Sequence, residues 1–258
     1  MPYTFAHIGY ILPIKKKWKQ YFSITGLVFG SLAPDYDILF RLTKVRFHIF
    51  QYDLKTICFF IFPIATISAL FFHLFCRKII IKNLPSPFFE KYQKYLSFDF
   101  IDYLKKHFLV FSASILLAIF LHLFLDFLCH ILDAYSIQIL VSEKVSNIFI
   151  IKLSGILAIY FLPVLFTLVG FFLLYILILK KRLNLSDFKL CTEINKFWTL
   201  IAIFTLALCV LKLTYTEFQD SYYIDYIIIS ITSSFIISVY LVCLVYYLLL
   251  ALQNKELQ

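Results

Sequence analysis

Residues 108–128 read FLVFSASILLAIFLHLFLDFL, an apolar run whose only ionisable side chains are His122 and Asp126. About 20 such residues cross the roughly 30 Å of a bilayer's hydrocarbon as a helix. In lipid every backbone N–H and C=O must be satisfied inside the spanning structure, so only a helix or a closed barrel will serve. A barrel strand alternates apolar and polar positions, and this run does not. Working outward, Ile57–Phe75, Leu153–Leu179, Leu200–Leu213 with its flanks, and Ile224–Leu252 repeat the pattern. A further stretch, Tyr21–Phe40, is apolar at first and is then interrupted by Pro34, Asp35 and Asp37. It has the composition of a broken or re-entrant helix, which survives only where its polar groups face protein or a cavity. The expected fold is therefore all-α, a polytopic integral membrane protein with five to six transmembrane helices.

Composition agrees. The chain is 62% hydrophobic and 15% charged, with a mean hydropathy of +0.89. A soluble domain is nearer 45–50% apolar and 25% charged, and too little interior exists at this size to hide the excess. The net charge of +9 does not point to nucleic acid, because the basic residues sit in short connectors beside apolar runs. Connectors 77–106 and 180–196 are rich in Lys and Arg, whereas 129–152 holds two lysines and 215–225 holds acids without a base. The positive-inside rule then puts 77–106, 180–196 and the C-terminus in the cytoplasm. Six spans suit the Lys15–Lys19 cluster better than five. The short apolar stretch Phe5–Ile14 precedes those charges, the reverse of a signal peptide. The expected location is the cytoplasmic membrane. The six cysteines are dispersed and read as small apolar fillers.

The chemistry is concentrated in residues 1–135, the expected site-bearing region; 136–258 reads as further transmembrane helices of the same integral unit. At 100° per residue, His122, Asp126 and His130 fall on one stripe of a helix, a turn apart. Ionisable groups inside hydrocarbon are expensive and mark functional sites by default. Imidazole and carboxylate at i and i+4 suit a divalent metal; a helix-packing His–Asp hydrogen bond fits the same run. Gly26 and Gly30 form a G-x-x-x-G that lets another helix approach closely. Asp35 and Asp37 follow Pro34, where a helix's first turn favours anions; they read either as caps or as site residues. His7 and His48 taken singly read as surface or interfacial, as do His73 and His107.

In order, Met1-Pro2-Tyr3-Thr4 with His7, Gly30-Ser31 with Pro34-Asp35, and His122, Asp126 and His130 resemble the bacterial membrane proteins grouped as domain of unknown function family 4184. More distantly the chain is similar to predicted membrane-bound metal-dependent hydrolases, whose pattern is an N-terminal His, P-D-x-D, a mid-chain His and H-x-x-x-D. His48 is followed by Ile49 where such families usually have Ser or Thr, and Cys129 replaces the usual Thr before His130. The resemblance implies metal ligands among His7, Asp35, His122 and Asp126, with His48, Asp37 and His130 behind them, and Asp35 and Asp37 as catalytic residues, an unligated one of which would take a proton. It covers residues 1–135; beyond that the match is to generic membrane helices.

The resulting expectation is a metal-dependent hydrolase of an amphiphilic or lipid-like ester or phosphoester near the bilayer surface. Mixed nitrogen and oxygen ligands suit zinc, manganese or iron. The rivals are an ion- or proton-coupled transporter and a structural membrane protein without catalysis. Membrane lipids are the expected partners, nucleic acid is not, and the oligomeric state is not legible. If residues 21–40 and 108–128 both run outward, the site opens to the outer half of the bilayer.

Overall fold

The structure, a computed structural model, describes residues 4–17, 21–36, 53–141, 164–165, 167–173, 192–215 and 223–256. Helices and turns are the only elements among them, with no strand. The chain is an all-α polytopic membrane protein: four described helices, Leu54–Lys82, Phe100–Leu128, Ile194–Thr214 and Ile227–Leu252, are long and apolar enough to cross a membrane. They correspond to four of the five long apolar runs. Most of the fifth, Leu153–Leu179, lies outside the described residues.

Helix α1 is Thr4–Lys17. Helix α2, Ile24–Leu32, starts at Ser23, whose hydroxyl accepts from the Gly26 N–H at 3.3 Å. It tightens into a 3₁₀ turn at Ala33–Asp35, where Pro34 has no N–H to continue the ladder. Nine residues make about 13–14 Å of helix, so the described part of Tyr21–Phe40 is the broken helix its sequence suggests. Helix α3, Leu54–Lys82, contains two π turns, Ile57–Ile61 and Phe72–Cys76. The aromatic, basic connector holds a short helix α4, Ser86–Tyr92, and a 3₁₀ turn, Gln93–Tyr95. Helix α5 runs Phe100–Val141 with a kink at His107 that separates its charged first turns from the apolar run. Helices α6, Thr192–Tyr215, and α7, Tyr223–Glu256, complete the described set.

Two compact units result: Met1–Pro34, Tyr52–Thr66 and His107–Lys181 form the first, and Asp35–Gln51, Ile67–Lys106 and Arg182–Gln258 the second. In the first, Ile11 of α1, Leu27 of α2 and Ala118 of α5 share an apolar cluster. In the second, Cys76 and Ile79 pack with Phe197 and Ile201 of α6 and with Val242 and Cys243 of α7. Phe197 meets Tyr246 edge-on at 5.3 Å and Lys212 meets Ser233, so α6 and α7 form an antiparallel hairpin. The α3 helix extends past its expected end at Phe75 to Lys82, and within that extension Arg77 is buried and donates to the Phe98 carbonyl at 2.5 Å. Large apolar side chains such as Leu109, Phe120, Phe127, Leu206 and Leu252 point outward, more than half exposed. A surface of that kind needs lipid rather than water.

Candidate metal centre

Two short contacts tie α2 to α5, and they share one sequence offset. The Ser23 N–H donates to Ser114 Oγ at 2.7 Å, and the Ser114 hydroxyl donates to the Val110 carbonyl at 2.6 Å. Eight residues further along both helices, His122 Nδ1 lies 2.7 Å from the Ser31 carbonyl oxygen. The two helices therefore run parallel and in register over about 12 Å. Glycine makes the approach feasible. A Cβ on Gly26 would lie 2.7 Å from the Phe111 carbonyl oxygen, and one on Gly30 would lie 2.6 Å from that of Ile115 and 2.9 Å from Ala118 Cβ. The G-x-x-x-G of the sequence thus has its partner, the 111–118 face of α5.

A second glycine pair holds α1. A Cβ on Gly9 would lie 1.8 Å from the Gly170 carbonyl oxygen, and one on Gly170 would lie 2.5 Å from that of Ala6. The turn that carries His7 thus crosses helical residues 167–173 backbone to backbone. Nothing in the local sequence of α1 announces this partner, which is about 160 residues away.

The packing brings three polar side chains together in the apolar interior. His7, His122 and Asp126 are 1%, 0% and 4% exposed, and their ligand atoms all lie within 4.8 Å of one another. The imidazoles of His7 and His122 stack, with centroids 3.9 Å apart and planes at 23°. His122 Nε2 is 3.3 Å from Asp126 Oδ2, and His7 Nε2 is 3.7 Å from Asp126 Oδ1. Both exceed the usual 2.7–3.2 Å of a hydrogen bond. They match instead the separation of two ligands on one ion, since bonds of about 2.0–2.2 Å put tetrahedral ligand atoms about 3.4 Å apart.

The Ser31 contact fixes the chemistry of His122. A carbonyl oxygen can only accept, so Nδ1 carries the proton and donates it. In the neutral ring, Nε2 then turns a lone pair toward the Asp126 carboxylate. Two electron-rich atoms at that distance require positive charge between them, from a proton or a metal. A ring N–H given to a backbone carbonyl is also the usual device that orients a metal-ligating histidine. The donor set therefore fits a divalent ion: His7, His122 and Asp126 form a buried group that could bind one.

Of the remaining sequence candidates, Asp35 is buried at the end of the 3₁₀ turn and belongs to the second unit; it is not part of the three-residue group. Asp37 and His48 lie outside the described residues. His130 is on α5 one turn beyond Asp126, and its side chain is likewise outside them. His73 stacks on Phe100 at 4.0 Å, and His107 sits exposed at the α5 kink. The residue that sequence reasoning missed is Ser31, because it acts through its main chain. Its presence in the Gly30-Ser31 motif was the available signal.

The family model described as Domain of unknown function (DUF4184) matches residues 1–252, and the chain belongs to that family. The match extends far past residues 1–135, to which the sequence motifs had tied the resemblance; α6 and α7 are part of the family unit and not an appendage. No curated protein and no solved structure matches the chain.

Proposed function

We propose that this DUF4184 membrane protein is a metal-dependent hydrolase whose ion is held by His7, His122 and Asp126. The observation that carries the proposal is the 2.7 Å contact from His122 Nδ1 to the Ser31 carbonyl, which aims Nε2 at Asp126. One proton could bridge a single imidazole and the carboxylate. Here two imidazoles address the same carboxylate, at 3.3 and 3.7 Å, and one divalent ion would satisfy both. Two histidines and one carboxylate leave coordination positions open, as catalytic sites do.

When bound, such an ion would acidify a water and polarise an ester or phosphoester oxygen. The protein's own residues supply the rest. Ser31 holds the His122 tautomer, the glycine crossings hold α1 and α2 against their neighbours, and the surrounding apolar side chains restrict solvent. Zinc, manganese and iron are the candidate ions. A site built into membrane helices suits an amphiphilic, lipid-like ester or phosphoester as the substrate.

Elemental analysis of detergent-purified protein should find one equivalent of a divalent metal, with less than one tenth of that in His122→Ala and Asp126→Ala. Metal-free wild-type protein that also fails to take up zinc, manganese or iron would overturn the metal centre. Metal at one equivalent, with no turnover of short-chain carboxylic or phosphoric esters, would leave the centre standing and reject the hydrolase.

A further inference from the structure

We propose that the last turns of α3 and the connector 83–99, within the second unit, form a docking surface for the headgroups of anionic phospholipids. The connector is short and both its ends are observed: α3 stops at Lys82 and α5 starts at Phe100, inside the continuously described residues 53–141. It is also folded against α3. Arg77 is buried and donates to the Phe98 carbonyl at 2.5 Å, with the Phe98 ring 5.3 Å from its guanidinium carbon. Near the same end, the His73 ring stacks on Phe100 at 4.0 Å. Trp198 of α6 closes the other side, its indole N–H donating to the Asn83 carbonyl at 2.7 Å. An indole, with an apolar body and one polar N–H, favours the headgroup level of a membrane.

The charge on this platform is unbalanced. Residues 77–106 hold seven Lys or Arg and three acids. Each acid is engaged within the segment. Glu90 accepts from the Ser86 hydroxyl at 3.1 Å, Asp99 from the Asp102 N–H at 3.0 Å, and Asp102 from Lys106 Nζ at 2.8 Å. Lys78, Lys82 and Lys94 are exposed and make no ion pair with the described residues. Lys78 and Lys82 lie one turn apart on one face of α3, and Ile79 and Ile81 between them are buried. Two ammoniums stand over rings: Lys91 over Tyr92 at 5.4 Å and Lys94 over Tyr95 at 5.1 Å. Cations and amphipathic rings therefore alternate on the outside of the connector.

Charge complementarity and place decide the occupant. Lysines at the end of a spanning helix extend into the headgroup layer, where lipid phosphate is the anion at hand, and Lys is a common phosphate binder. Anionic lipid attracts each such lysine by a further factor of about five over neutral lipid. The tyrosine and tryptophan rings beside the lysines suit the same layer, where acyl chains begin. A soluble acidic partner would match the charges and leave those rings without apolar company. Nothing has to open for lipid to bind, because the lysines already face outward.

Trp198 supplies the reporter for a test. The chain has two tryptophans, Trp18 and Trp198, so the full chain carrying Trp18→Phe fluoresces from Trp198 alone. It would be reconstituted into bilayers that mix phosphatidylglycerol with phosphatidylcholine, one or the other carrying dibrominated acyl chains that quench a nearby indole. The two quenching curves give the relative binding constant of the lipids beside Trp198. We expect phosphatidylglycerol to be favoured at least fivefold. Lys78→Gln/Lys82→Gln should bring the preference below twofold, whereas Lys78→Arg/Lys82→Arg, which keeps both charges, should retain it. An unchanged Trp198 emission maximum in neutral lipid would show that the variants keep the fold. A relative constant near one in the parent would overturn the proposal and leave the lysines as topogenic charges or as a landing site for a soluble acidic partner. A preference that survives Lys78→Gln/Lys82→Gln would overturn the assignment to this surface.

Discussion

Gly30→Ala is the substitution that most directly probes how the helices build the metal centre. The new Cβ would lie 2.6 Å from the Ile115 carbonyl oxygen and 2.9 Å from Ala118 Cβ, both on α5. Ordinary contact begins near 3.4 Å, so α2 must retreat by about 0.8 Å (3.4 − 2.6). Ser31 is the next residue, and its carbonyl lies 2.7 Å from His122 Nδ1. A displacement of that size along the contact would lengthen it to about 3.5 Å, beyond hydrogen-bond range. Overpacking of this kind typically costs about 1–3 kcal/mol of stability, and losing an outer-shell partner of a metal ligand costs about 10–100-fold in affinity. Gly26→Ala is the control. Its clash, 2.7 Å from the Phe111 carbonyl oxygen, is similar, but it falls about 6 Å further along α2 from Ser31. Chelator-competition titration of metal affinity, beside thermal unfolding, should show comparable destabilisation of both variants. Metal affinity should fall by at least tenfold in Gly30→Ala and by clearly less in Gly26→Ala. If Gly30→Ala binds metal as tightly as the wild type, Ser31 does not position His122, and the argument from tautomer to metal fails.

Ser31→Ala should leave metal affinity within about twofold, because His122 uses the main-chain carbonyl while the Ser31 hydroxyl donates to the Val28 carbonyl at 2.8 Å; a tenfold loss in the same titration would contradict this. Arg77→Met should destabilise the protein by about 1.5–3 kcal/mol, the typical range for a hydrogen bond to a charged group, since the buried guanidinium donates to the Phe98 carbonyl. Denaturant unfolding in detergent would measure it, and a neutral result would show that the contact does not hold the end of α3. Asp53 caps α3 by accepting from the Thr56 N–H at 2.9 Å, and hydrogen bonds from Thr56, side chain and then main chain, hold its carboxyl below the ordinary 3.8. A depressed carboxylate stabilises the fold above its unfolded value and loses that contribution as pH falls through the folded one. The gap in unfolding midpoint between wild type and Asp53→Ala should therefore be full at pH 5 and above and should close below pH 3.8; a gap independent of pH would refute the role of the charged cap.

Much of the fold was settled by the sequence alone. Apolar runs of about 20 residues admit one backbone solution in lipid, so the all-α class and four of the spans followed from length and hydropathy. The His122–Asp126 pairing followed from helical geometry, since i and i+4 are neighbours on any helix. Pro34 was legible as an interruption of the Tyr21–Phe40 run, and α2 tightens there. His7 was different. Taken singly it was an unremarkable N-terminal histidine, and only a family resemblance placed it beside residues 115 positions away. Its position is a property of packing, decided where Gly9 crosses Gly170 and α1 meets α2. Ser31 could not have been found from its side chain, because the group that orients His122 is a carbonyl that every residue possesses. Lys212 shows the same dependence, since the antiparallel packing of α6 on α7 turns it inward to Ser233. Local periodicity is written in neighbouring residues. Which backbone atom approaches which side chain across helices depends on the meeting of distant surfaces, and tertiary structure alone decides it.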